Sequence, residues 1–163
     1  MSIIKVKDLG ILNGSTPAFQ AYVSSDQTLS NDTETTIAWN AETFDTDSTF
    51  DTSNYRFTPN KAGKYLVYIT CNIDSSHGFY YASSEVKKNG SNISGARITN
   101  IFENLSSSDN VIEGIFLSYH GIVEMNGSSD YVELYAATDV TSGSASLREG
   151  TKANYFLGYR IGT

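Results

Sequence analysis

The chain has 163 residues and a formal net charge of −7. That length suits one domain with a substantial core, and the charge argues against an electrostatic grip on nucleic acid, whose phosphates would be repelled. Charged residues are only 18% of the chain, and eleven Tyr and eight Phe supply the bulk among abundant Ser, Thr, Asn and Gly, a mixture that favours strands and turns over helices. No long stretch repeats apolar residues at helical spacing, so an all-β fold is predicted. Cys71 is the sole cysteine, which excludes an internal disulfide, and its place in an apolar alternation marks it as a small buried hydrophobe. The opening MSIIKVKDLG lacks the apolar run of a signal peptide, and no segment approaches the ~20 apolar residues of a membrane span. Synthesis in a cytoplasm without export and no membrane partner are therefore expected.

Residues 1–16 form a distinct head, with Ile3, Ile4, Val6, Leu9 and Ile11 apolar but without a clean period, ending at the turn-rich Asn13-Gly14-Ser15-Thr16-Pro17. It reads as a docking tail or an edge strand ahead of a domain over 17–163. Strands are predicted over 18–23 and 35–39, with 24–34 as a polar loop between them, and Trp39 is read as a core or interface anchor. Residues 42–45 and 55–58 flank an acidic loop, and Pro59 and Gly63 are read as the turn that launches a long strand over 64–73. There Tyr65, Val67, Ile69, Cys71 and Ile73 share one face and Leu66, Tyr68, Thr70 and Asn72 the other. Residues 79–87 form the next strand, Lys88-Asn89-Gly90 a hairpin turn, and 92–97 the return. A long apolar-rich strand over 111–124 contains Phe116, Asn126-Gly127 is a turn, and strands over 131–137 and 154–161 complete about ten antiparallel strands, a sandwich or jelly roll.

Phe57-Thr58-Pro59 followed by Gly63-Lys64-Tyr65 resembles the signature of the jelly-roll superfamily that includes the complement C1q globular head and tumour necrosis factor. The proline stands one residue early. Gly127–Leu134 resembles the family's glycine-aspartate turn with two serines inserted, and Tyr155–Ile161 its closing strand, with Arg160 where a hydrophobe is common. The resemblance spans 17–163 and implies a homotrimer, with Trp39, Phe57, Gly63, Tyr65, Val67, Ile69, Phe116, Phe156 and Gly158 as core or trimer residues. The version here, FDTDSTFDTSNYRFTP, looks most like those of bacteriophage virion and bacterial surface proteins. It implies a non-enzymatic virion protein, exposed on the particle and mounted on another virion protein through residues 1–16. Two roles follow: a tail-fibre tip recognising a host-surface glycan or protein, or a capsid decoration protein; a bacterial surface or secreted module is a third.

Chemistry-bearing patterns are sparse. His77 and His120 are the only histidines, and no nucleophile elbow, zinc helix or phosphate loop is present, so no catalytic site is expected. Asp45, Asp47 and Asp51 in one loop make calcium a candidate ligand, though the glycine and closing glutamate of the known calcium loop are missing; solvated connecting carboxylates are the other reading. No other cofactor is expected. Tyr80 and Tyr81, with the loops at 24–32 and 106–110, are candidates for a glycan-binding rim, or for packing inside the trimer.

Overall fold

A computed structural model of the chain describes residues 16–102, 112–150 and 154–163. The predicted docking segment therefore lies outside the described residues, apart from Thr16. The strands are Ala18–Tyr22 (β1), Gln27–Leu29 (β2), Thr35–Thr36 (β3), Ala41–Asp45 (β4), Phe50–Asp51 (β5), Arg56–Phe57 (β6), Ala62–Ser75 (β7), Phe79–Lys88 (β8), Ser91–Ile101 (β9), Gly114–Asn126 (β10), Val132–Val140 (β11), Ala145–Leu147 (β12) and Tyr155–Gly162 (β13). Every pairing between them is antiparallel. They form a seven-stranded sheet in the order β2-β12-β7-β13-β1-β4 with β10 on the free edge of β7, and a six-stranded sheet in the order β5-β6-β11-β8-β9 with β3 beside β11.

Alternation in β7 puts Tyr65, Val67, Ile69, Cys71 and Ile73 into the core between the sheets, as the period of two requires. At one end of the core Phe19 gathers an aromatic cluster. Its ring stacks on Phe57 at 4.4 Å and Phe50 at 4.7 Å and meets Phe156 edge-on at 4.8 Å. Trp39, fully buried, lies 6.0 Å from Phe156, and Phe57 meets Tyr65 at 5.5 Å. Gly158 is paired directly with Phe19, and a Cβ there would stand 2.8 Å from the Phe19 ring, so the missing side chain is the space the ring occupies.

Several expectations need correction. Pro59 and Gly63 do not form the turn: the bend lies at Asn60-Lys61, closed by the Tyr65 hydroxyl donating to the Lys61 carbonyl at 2.7 Å. Gly63 is inside β7, paired with Met125, at φ +148°. A Cβ there would lie 2.3 Å from the Gly162 carbonyl oxygen, so the glycine serves a close approach of two backbones. The strand expected over 35–39 stops at Thr36, because the Trp39 amide turns back to the Ile37 carbonyl at 3.0 Å and the indole enters the core from a coil. The loop expected over 24–34 contains β2, which pairs with β12 far along the chain. Phe116, assigned to core or trimer, is not core: it is 64% exposed, because it alternates with the inward Ile115 and Leu117.

Gly63→Ala is expected to lower the stability of the fold by about 2 kcal/mol, from left-handed strain plus a clash with the Gly162 carbonyl. A urea denaturation midpoint unchanged from that of the unmodified chain would contradict this reading.

Candidate functional site

The outer faces of the two sheets differ in kind. On the six-stranded sheet, strand register places charged and polar residues side by side: Tyr135 beside Glu85 and Glu85 beside Arg97, Glu133 beside Lys87, Asp139 beside Tyr81. These groups satisfy one another. Lys87 Nζ lies 2.6 Å from Glu34 and 4.2 Å from the Tyr135 ring centroid, Arg97 approaches Glu85 at 3.7 Å, and the Tyr81 hydroxyl donates to Asp32 at 2.8 Å. With its charged groups partnered in this way, the face is compatible with water.

The seven-stranded sheet presents the opposite. Directly paired residues point to the same side, and one row across five strands reads Phe44, Gln20, Leu157, Tyr68, His120. A neighbouring row reads Tyr159, Leu66, Ile122, another Tyr155, Thr70, Ser118, and a short one Asn72, Phe116. No Lys, Arg, Asp or Glu occurs in these four rows. Ile122 is 60% exposed, and Phe44 and Tyr159 stand about half in solvent. At the centre Tyr68 stacks on Tyr155 (centroids 5.6 Å, planes 14° apart) and on His120 (6.3 Å, 17°). Ser118 donates to the Tyr68 hydroxyl at 3.3 Å. Hydrogen bonds from Ser118 and then Tyr155 favour the Tyr68 phenolate and lower its pKa below the ordinary 10.0. Burial, and then the bond to Tyr68, raises that of Tyr155. The result is an apolar plate with a small polar centre, rigid because it rests on three long paired strands.

The other candidates fall elsewhere. Trp39, Phe57, Tyr65, Val67, Ile69 and Phe156 are in the core, with Gly158 against Phe19 and Gly63 against the Gly162 backbone. Tyr80 is half exposed at the start of β8, and Tyr81 beside it is tied to Asp32, so only Tyr80 of that pair offers a free ring face. Among the described residues no group of three or more His, Cys, Asp or Glu is placed to hold a metal ion, so Asp45, Asp47 and Asp51 do not converge as a calcium site would need. Asp45 instead accepts from the Phe50 amide at 2.7 Å and the Asp47 amide at 3.2 Å, and Asp51 from the amide of Ser53 and the side-chain amide of Asn54. Their oxygens are turn acceptors. Tyr68, Tyr155, Leu66 and Ile122 were not singled out as site residues; the mixed second face of β7 was the signal that could have found them.

No protein-family model and no curated protein matches the chain by sequence. Solved structures do match in fold. Murine APRIL superposes with a TM-score of 0.65 at 9% identity, over 90% of this chain and 100% of that one. Eiger TNF from S. frugiperda gives 0.60 at 13%, over 91% and 94%, and the globular domain of zebrafish complement 1qA protein 0.57 at 13%, over 90% and 98%. The architecture is therefore the C1q/TNF-like jelly roll.

Hydrogen bonds from Ser53 and Asn54 pull the Asp51 carboxyl below its ordinary 3.8, and those from Lys88 and Asn89 do the same for Asp130. A depressed carboxyl contributes stability that is present above its unfolded pKa and lost as pH falls below it. The melting temperature should therefore drop on acidification below about pH 4, and the drop should be shallower in Asp51→Asn and Asp130→Asn. An acid limb identical in the variants and the parent would contradict the assignment.

Proposed function

We propose that the chain is a non-enzymatic, homotrimeric jelly-roll module of a bacteriophage virion, assembled through the outer face of its seven-stranded sheet. The observation that carries the trimer is the apolar plate of Leu66, Tyr68, Phe116, Ile122, Tyr155 and Tyr159 opposite a face that is charged and self-paired. Burying a Phe or Ile side chain contributes about 1.5–3 kcal/mol. Four half-exposed side chains in each of three protomers thus supply on the order of 10 kcal/mol, comparable with the cost of ordering the partners. Three copies around an axis close the assembly and leave no plate uncovered, which an open chain of copies does not achieve.

The virion placement rests on the sequence likeness of residues 44–59 to phage proteins and on the apolar head at 1–16, a mount on another virion protein. With the apolar plate buried, the faces left to solvent are the polar sheet and the loops, which suits recognition of a host-surface glycan or protein at the tip of a tail fibre. Tyr80 is the aromatic ring that such a surface would offer.

Light scattering at micromolar concentration should give a mass three times 17.8 kDa. The double variant Phe116→Arg, Ile122→Glu should fall to the single-chain mass while keeping its β circular dichroism. A folded single-chain mass for the unmodified protein would overturn the trimer. For the virion role, the purified protein should block phage adsorption in competition and label the tail in electron micrographs. Label on the capsid without competition would make it a decoration protein instead.

A further inference from the structure

At one end of the sandwich, where the start of β7 meets the ends of β8, β10 and β13, the surface folds into a cleft of about 690 Å3. Small-molecule sites fall in the range of about 300–1,000 Å3, so the space suits a ligand of sugar size rather than a lone ion. Its lining brings together Lys61, Lys88 and Arg160, three cations of a chain with only eleven Lys and Arg and a net charge of −7. Met125 and Gly63 add apolar lining between them.

The cations differ in what they have left to give. Lys88 is committed: its Nζ lies 2.8 Å from Asp130 and donates to the Glu124 carbonyl at 2.7 Å. Asp130 is itself fixed by the Asn89 side-chain amide at 2.8 Å and the Asn126 amide at 2.9 Å. Glu124 lines the cleft as well, so its carboxylate and that of Asp130 stand against the three cations. With Lys88 held by Asp130, the cations left to meet a ligand are Arg160 and Lys61. Arg160 is anchored but not exhausted. Its Nε and Nη2 both donate to the Ala62 carbonyl, at 3.0 and 2.7 Å. A guanidinium has five N–H groups in a rigid fork, so three remain on the side away from Ala62. Lys61 is exposed beside it. The site is also built by backbone: a Cβ on Gly63 would stand 2.8 Å from Arg160 Nε, so the glycine that admits the Gly162 strand also seats the arginine.

We infer that this cleft binds an anionic, sugar-sized ligand whose carboxylate or phosphate is held by the Arg160 fork and Lys61. Arg160 stands where the family likeness leads one to expect a hydrophobe, and the cleft gives that departure a use. A planar, pre-positioned fork matches the two oxygens of a carboxylate or phosphate and loses little entropy on binding. The ligand is bound by a single protomer's residues, so the inference stands whether or not the chain trimerises.

The test is a titration of the full chain at low salt, followed by amide chemical shifts, with sodium glucuronate, glucose 6-phosphate and glucose as separate probes. Saturable shifts at Gly63 and Asn126 are expected with one or both anions and not with glucose. Response to glucuronate alone assigns a sugar acid, and response to glucose 6-phosphate alone a sugar phosphate. Lys61→Glu, on an exposed side chain that the fold does not use, should weaken binding at least about tenfold, or about 1.4 kcal/mol. Arg160→Gln should do the same. No saturation with either anion, equal binding of glucose, or undiminished binding by Lys61→Glu would overturn the site. Light scattering on the same samples reads the assembly state separately, so a failure of one reading is not mistaken for a failure of the other.

Discussion

Large apolar side chains on both faces of a strand need cover on both, and a two-sheet sandwich covers only one. That constraint acts on β7 and its neighbours β10 and β13. Their inward residues Val67, Ile69, Leu117 and Phe156 fill the core, while their outward residues Leu66, Tyr68, Phe116, Ile122, Tyr155 and Tyr159 form a second, largely apolar layer that lies at the surface among the described residues. Everything proposed about assembly follows from this doubling. The opposite sheet shows that the protein can build a water-compatible face, since there Lys87, Glu34, Arg97, Glu85, Tyr81 and Asp32 pair among themselves.

Parts of this were legible in the sequence. The alternation from Tyr65 to Ile73 is long enough to reveal both the strand and its buried face, and Phe57, Gly63 and Tyr65 carry the family pattern because each meets a packing demand. The short strands were hidden. Gln27–Leu29, Phe50–Asp51 and Ala145–Leu147 have too few residues for a period to show, and β2 and β12 exist by pairing with each other across more than a hundred residues. Such pairing leaves no local mark. Gly63 was readable as special but not as to why, since the Gly162 carbonyl that needs the space comes from the far end of the chain.

The candidate sites repeat that lesson. The plate was half visible: Leu66 and Tyr68 announced a mixed second face, yet only strand register shows that Ile122, His120, Leu157 and Tyr159 continue it. The cationic cleft was nearly invisible, because Lys61, Lys88 and Arg160 come from separate elements and only the place of Arg160 in an otherwise apolar closing strand hinted at it. The acidic residues at 45, 47 and 51 illustrate the converse: close spacing suggested a shared cation, whereas local amides bond to the oxygens of Asp45 and Asp51. A fold shared at 9–13% identity with APRIL, Eiger and complement 1qA tells the same story, since alternation and a few aromatic contacts specify the sandwich while surface chemistry is free to vary.

The claim that the plate is covered in solution is tested most directly by hydroxyl-radical footprinting of the intact protein. In a single protomer Phe116, Tyr159 and Tyr80 are 64%, 42% and 50% exposed, so all three would be oxidised at comparable rates. Cover over the plate predicts that Phe116 and Tyr159 are protected while Tyr80, on the other sheet, reacts freely. Oxidation of Phe116 and Tyr159 as fast as Tyr80, in protein that is still folded, would contradict the account.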